Sequence, residues 1–212
     1  MALILNFYNK LNQLKQWGVT IENVLDIGAY RGHFTYTVRA VWPKAKIQQF
    51  EADERQKKFL QEDAHIAVLG DSEREVDFYT IPDIAEGVTT GSSIYKENTI
   101  YYQRPIVLKK QMQLLDNLVD TSGDWSKGLV KIDTQGSELD ILRGAKNFME
   151  NQKPMYILLE CSVKQYNDGS PLISQVTSQM LEWGYNFEDI FDFSYDKSGQ
   201  LLQLDVLFRR KQ

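Results

Sequence analysis

Residues 24–32, VLDIGAYRG, constrain the fold more than any other stretch of this 212-residue chain. Val24 and Leu25 open an apolar run that meets Asp26, then Gly28 and Gly32. That order predicts a buried β-strand ending in a glycine turn, with a helix starting near Gly32. A glycine turn at such a junction lets the backbone come close to a nucleotide-like ligand. The spacing Gly28-x-x-x-Gly32 is not the G-x-G-x-x-G fingerprint that wraps a dinucleotide pyrophosphate, because Ala29 and Tyr30 fall where a second glycine is needed.

The rest of the chain repeats the strand–helix alternation. Ile4, Phe7, Leu11 and Leu14 lie at helical spacing, and Gly18 ends that segment. Strands are expected at about 22–27, 46–51 and 66–70, with a helix at 32–42. A second helix is expected from the Asp53/Gln56 capping box to about residue 63. The alternation then breaks at an insertion over 75–112, with added strands at 75–80 and 105–112. Between them, residues 82–104 form a long segment of weak periodicity. This segment, with Tyr95, Tyr101 and Tyr102, is the expected acceptor lid. A short helix is expected at 113–120, a strand at 129–133, a helix at 137–150, a strand at 155–160 and a helix at 172–183. Strands near 186–191 and 201–208 close the chain. The pattern predicts a single domain over 1–212, a three-layer α/β/α sandwich with helices on both sheet faces.

Carboxylates recur where strands end: Asp26, Glu51, Asp71 after Gly70, Asp133 and Glu160. In open parallel sheets ligands bind beyond those ends. An acidic rim opposes phosphate and suits a cofactor with a cationic part, such as the sulfonium and ammonium of S-adenosylmethionine. Glu51 follows Gly28 by 23 residues, close to the offset at which an acid accepts hydrogen bonds from ribose hydroxyls. Lys131 sits inside LVKID, an expected buried strand, where an ammonium needs a partner; Asp133, two residues on, points to the same face. A structural ion pair is the favoured reading of Lys131, a catalytic lysine the other. His33, at the expected helix start, is placed either to meet the cofactor's carboxylate or to stand as a partly exposed surface residue. His65 has no assigned role. Asp133 and Glu160, with loop oxygens, form the one place where Mg²⁺ is considered.

The net charge of −5, from 24 basic and 29 acidic residues, argues against nucleic acid or an anionic membrane as the main partner. Cys161 is the only cysteine, which excludes an internal disulfide and a cysteine zinc site. The start of the chain lacks the pattern of a signal peptide, and no run approaches a membrane span, so a cytoplasmic setting is expected. Oligomeric state is left open.

VLDIGAYRGHF, QFEAD, LVKIDTQGSELDILRGA and YILLECSV together resemble the FkbM-type methyltransferases, a class I S-adenosylmethionine-dependent family. The most specific part is K-I-D-x-x-G-x-E followed by L-x-G-A over residues 131–145. The similarity covers about residues 24–184, and GSS at 91–93 and Tyr166…Gly169…Pro171 also fit the family's layout. The resemblance implies a seven-stranded sheet with one antiparallel strand. It also implies S-adenosylmethionine at the carboxyl edge and O-methylation, often of sugar or secondary-metabolite hydroxyls. On that pattern Asp26, Gly28 and Gly32 line the cofactor; Tyr30 and His33, in the same turn, are further candidate cofactor residues outside the family pattern. Glu51 binds ribose, Gly70 and Asp71 lie near adenine, and Asp133 stands between cofactor and acceptor; Lys131 and Glu160 are the other catalytic candidates, read from their positions in the strands. Tyr30 stands where the family usually has Asn, and Gln135 where it often has Glu. A nicotinamide-dependent oxidoreductase and a non-catalytic cofactor-binding scaffold are the competing readings.

Overall fold

The computed structural model describes residues 2–82 and 90–211, and the side chains from residue 6 onward. Seven strands form the central sheet: β1 (Asn23–Ile27), β2 (Lys46–Glu51), β3 (His65–Ile66), β7 (Gly128–Ile132), β8 (Tyr156–Ser162), β9 (Tyr185–Tyr195) and β10 (Leu201–Arg210). Their order is β3-β2-β1-β7-β8-β10-β9. β10 runs antiparallel to both its neighbours, and the other pairings are parallel.

Alternation along each strand sorts side chains between two cores. Val24, Leu129, Leu158 and Leu207 face α1 (Ala2–Gln16) and α2 (His33–Val41), where they meet Leu11, Leu14, Phe34 and Val38. Leu25, Ile27, Val130, Ile132 and Phe208 face the other way. There they pack on α3 (Glu138–Arg143), α4 (Lys146–Gln152) and α5 (Ile173–Glu182) through Leu139, Ile141, Phe148, Val176 and Met180. The result is the expected three-layer α/β/α sandwich. The order also puts Asp26 directly opposite Lys131, both on the α2 face.

Four elements differ from the sequence expectation. The helix expected through residue 63 is a 3₁₀ turn, Glu54–Phe59. The Asp53 side chain accepts from the Arg55 amide and pairs with its guanidinium, in place of the Asp53/Gln56 capping box. The segment lacks an apolar stripe to bury, so nothing sustains a longer helix.

The strand at 66–70 is divided. His65–Ile66 pair with Phe50–Glu51, where β2 ends and no further partner remains. Val68–Leu69 (β4) instead join β6 (Ile106–Gln113) and β5 (Arg74–Thr80) in a separate three-stranded sheet made largely of the insertion.

The helix expected over 137–150 breaks at Gly144-Ala145. A Cβ at Gly144 would lie 1.9 Å from the Gly70 carbonyl oxygen. Asp116 then restarts the helix as α4 by accepting from the amides of Asn147 and Phe148, both at 2.8 Å. The short helix expected at 113–120 is a single 3₁₀ turn, Leu115–Asn117.

Candidate active site

The glycine turn is built by its amides. The N–H groups of Gly28 and Ala29 both donate to the Phe50 carbonyl (2.9 and 3.0 Å), and that of Gly32 donates to Ala29 (2.7 Å). Gly28 takes φ +71°, and a Cβ there would lie 1.8 Å from the Asp133 carbonyl oxygen, so only glycine lets β1 and β7 end this close together. Gly32, at φ +74°, precedes α2 and packs against Gln49. A dinucleotide site needs turn amides aimed at pyrophosphate. Here those of Gly28, Ala29, Tyr30 and Gly32 are spent within the protein.

Beyond the turn lies a cavity of about 570 Å³ at the carboxyl ends of β1, β2, β7 and β8. Among the expected residues, Gly28, Tyr30, His33, Glu51, Lys131, Asp133 and Glu160 line it. Asp26, Gly32, Gly70 and Asp71 do not. Asp26 lies wholly buried beneath the floor, where Oδ2 accepts from the Thr35 hydroxyl at 2.8 Å. Asp71 is turned to the surface, where the Arg74 guanidinium (2.6 Å) holds its pKa below the ordinary carboxylate value. In place of Gly70 and Asp71, Ala67, Val68 and Leu69 line the cavity, because the chain leaves the main sheet after Ala67.

Glu51 is fixed by two backbone donors. The Tyr30 amide donates to Oε2 at 2.7 Å and the Asp53 amide to Oε1 at 2.8 Å. Burial raises its pKa, against the opposing pull of those hydrogen bonds and of Lys131. Each oxygen keeps acceptor capacity for a ligand hydroxyl. The left-handed Tyr30 backbone (φ 50°) aims its amide at this carboxylate; its role here comes through the main chain.

Lys131 is nearly buried. Its ammonium donates to the Gly28 carbonyl at 2.8 Å and lies 3.6 Å from Asp26 and 3.4 Å from Asp133. Burial would lower its pKa, but the two carboxylates outweigh that and raise it above the ordinary lysine value. This is a permanent cation tying β1 to β7.

Across the cavity, Asp133 and Glu160 stand one step beyond the Ile132–Leu159 pair of β7 and β8. Gln135, held at φ 58°, donates its side-chain amide to Glu160 at 2.6 Å and reaches Asp133 at 3.4 Å. A glutamate in its place would add a third anion here. Burial and the charges of Asp133, Asp205 and Glu138 hold the Glu160 pKa well above the usual range, with Lys131 opposing. Asp133 and Glu160 do not fit Mg²⁺. Gln135 presents N–H donors to the oxygens a cation would need, and among the described residues no group of three or more metal-type ligands converges.

Glu138 staples the loop from Asp133 to α3. Its Oε1 accepts from the amides of Thr134 (2.9 Å) and Gly136 (3.1 Å) and from the Thr134 hydroxyl (3.2 Å). Burial raises its pKa to about 7, with the backbone donors acting against that rise. The folded chain thus holds a proton here between pH 4.5 and 7 that the unfolded chain has released. The resulting stabilisation is full below 4.5 and is lost as pH rises through 7. Glu138→Gln is expected to show a smaller fall in melting temperature between pH 5 and pH 8 than the wild type. Parallel slopes in a thermal-melt series would contradict the assignment.

The lid expectation needs correction. Part of it, residues 83–89, lies outside the described residues. None of Tyr95, Tyr101 and Tyr102 lines the cavity. Tyr95 donates its hydroxyl to Asp140 at 2.6 Å, Tyr101 is exposed and Tyr102 is buried. The same segment instead offers Thr90, Gly91, Ser92, Ser93 and Glu97 to the cavity. Ser93 anchors it by donating to the Thr134 and Gln135 carbonyls (2.9 and 3.0 Å). Tyr166 lines the cavity from the loop after β8 and hydrogen-bonds Glu97, a buried carboxylate whose pKa burial raises. Sequence reading gave Glu97 and Gln203 no role. Both lie outside any strand–turn–helix junction, where no local motif marks them.

A seven-stranded sheet with one antiparallel strand, and a cavity at its carboxyl edge, define a class I, Rossmann-like methyltransferase fold. The sequence profile of the methyltransferase FkbM domain matches residues 26–187, and the chain belongs to that family. Solved structures share the fold. A 1,6-didemethyltoxoflavin N1-methyltransferase from Burkholderia thailandensis superposes with TM-score 0.51 at 10% identity, over 100% of this chain and 79% of that one. Magnesium protoporphyrin IX methyltransferase from Synechocystis PCC 6803 gives 0.50 at 7% identity, over 98% and 81%. An N,N-8-amino-8-demethyl-D-riboflavin dimethyltransferase from Streptomyces davawensis gives 0.51 at 10% identity, over 99% and 54%. No curated protein matches the chain in sequence. Among the described residues, no helix is long and apolar enough to cross a membrane.

Proposed function

We propose that this chain transfers a methyl group from S-adenosylmethionine to a hydroxyl of a small molecule, in the class of sugars or secondary metabolites. The cofactor is that of the family, and it supplies an electrophilic methyl group on a sulfonium. The residues present fit it. Glu51 offers the ribose two oriented acceptor oxygens, while Phe50, Ala67, Val68 and Leu69 provide an apolar wall for the base. Asp133 faces the cationic end with negative charge, and Glu160 adds carboxyl oxygens to the same wall.

The observation that carries the reading is the placement of Asp133, on the cavity wall and fixed by Lys131 and Gln135. A hydroxyl must lose its proton as the carbon–oxygen bond forms. Asp133 orients that hydroxyl and receives the proton, then releases it to solvent. Lys131 keeps the carboxylate in place. Two of the neighbours above are named as N-methyltransferases, so the fold does not set the receiving atom. Oxygen is favoured because the site provides a fixed proton acceptor. Incubation with S-adenosylmethionine and a panel of polyols, glycosides, phenols and amines, with and without chelator, tests this. Transfer to a hydroxyl, insensitive to chelator, is expected. Exclusive transfer to nitrogen would overturn the reading.

A further inference from the structure

A second concavity lies on the opposite side of the sheet. Tyr185 begins β9, Arg210 ends the antiparallel β10, and Lys153 precedes β8, so all three stand at the amino edge, away from the methyl-transfer cavity. Leu142, Met149, Trp183 and Tyr185 give this groove an apolar floor. Its rim carries Arg143, Lys146, Lys153, Arg210 and Lys211, against the single carboxylate of Glu150. Its volume is about 790 Å³, within the range of a site for one small ligand.

Five cations with one anion are unexpected on a chain of net charge −5. Two of the cations are partly engaged. Arg143 pairs with Asp140 at 2.8 Å, and the Lys211 ammonium lies 3.3 Å from the Leu181 carbonyl. Lys146, Lys153 and Arg210 make no side-chain hydrogen bond or ion pair among the described residues. The Nε of Arg210 is buried and lacks an acceptor. A buried donor without a partner costs free energy unless a ligand supplies one. Guanidinium and ammonium groups from three chain segments therefore converge on a floor containing an indole.

We propose that this groove binds a phosphorylated small molecule with a flat apolar body, of the nucleotide class. The phosphoryl oxygens meet Arg210, Lys146 and Lys153, and the ring lies against Trp183. Nothing in this reading depends on the methyl acceptor or on the cofactor cavity.

The test uses the full chain saturated with S-adenosylhomocysteine, so that an added adenine compound cannot register by filling the methyl-transfer cavity. Adenosine 5′-monophosphate and inorganic pyrophosphate are titrated separately while the Trp183 indole ¹H–¹⁵N signal is followed. Saturable shifts with the nucleotide, and competition by pyrophosphate, are expected. Lys146→Glu, on an exposed helix position, and Arg210→Gln should each weaken nucleotide binding about tenfold or more, with affinity for S-adenosylhomocysteine unchanged. Three results would overturn the proposal: no shift at millimolar nucleotide, wild-type nucleotide affinity in both variants, or binding confined to a short oligoribonucleotide.

Discussion

Lys131→Met is expected to lower the melting temperature by about 6–20 °C. Removing one partner of a buried ion pair costs roughly 3–5 kcal/mol, and in a chain of this size each kcal/mol shifts the midpoint by about 2–4 °C. The reason is specific to this sheet. Asp26 is wholly buried, with Lys131 as its counter-ion and Thr35 as its hydrogen-bond donor. Without Lys131 the carboxylate must stay ionised in an apolar layer or take up a proton, and the Gly28 carbonyl loses its donor as well. The double variant Asp26→Asn with Lys131→Met removes both charges and is expected to be more stable than Lys131→Met alone, a departure from additivity. Thermal melts of the four proteins check this. A double variant less stable than either single variant would show that the pair is not the coupling unit described.

Asp133→Asn is expected to reduce methyl transfer to a hydroxyl by roughly 100- to 10,000-fold, the usual contribution of a positioned general base. The amide keeps the shape and the contact with Gln135 but cannot receive a proton. Affinity for S-adenosylhomocysteine should stay within about threefold, since the proposed ribose contact is Glu51, at the end of a different strand. Single-turnover rates on an acceptor from the hydroxyl panel, set beside calorimetric affinities, separate the two effects. Turnover close to wild type would remove Asp133 from proton transfer and leave alignment alone as its role.

How far the sequence reveals this site depends on whether a residue's role is local. Gly28, Glu51 and Asp133 are legible because each stands at a strand–turn junction, and the topology of a parallel sheet carries all such junctions to one edge. Lys131 is legible because a charge inside an apolar strand demands a partner. The partner named from spacing, Asp133, is joined by Asp26, which only the register of β1 against β7 brings opposite.

The misreadings have the opposite character. Asp71 has the right residue type at the end of an apolar run, but the run changes sheets after Ala67, and nothing local marks that switch. The single helix expected over 137–150 fails because Gly144 meets the carbonyl of Gly70, distant in sequence. The tyrosines of the inserted segment suit an acceptor lid by their chemistry alone. The cavity takes its serines and Glu97 instead, because Ser93 ties the segment down to the loop after Asp133.

Adenosine is proposed to lie across the glycine turn with its sugar held by Glu51. The most direct measurement is calorimetric titration of the wild type and Glu51→Ala with S-adenosylhomocysteine. Loss of ribose hydrogen bonds to a charged acceptor predicts weaker binding by roughly 1.5–3 kcal/mol, or about 10- to 150-fold in Kd. The same affinity in both proteins, with the variant folded, would contradict it.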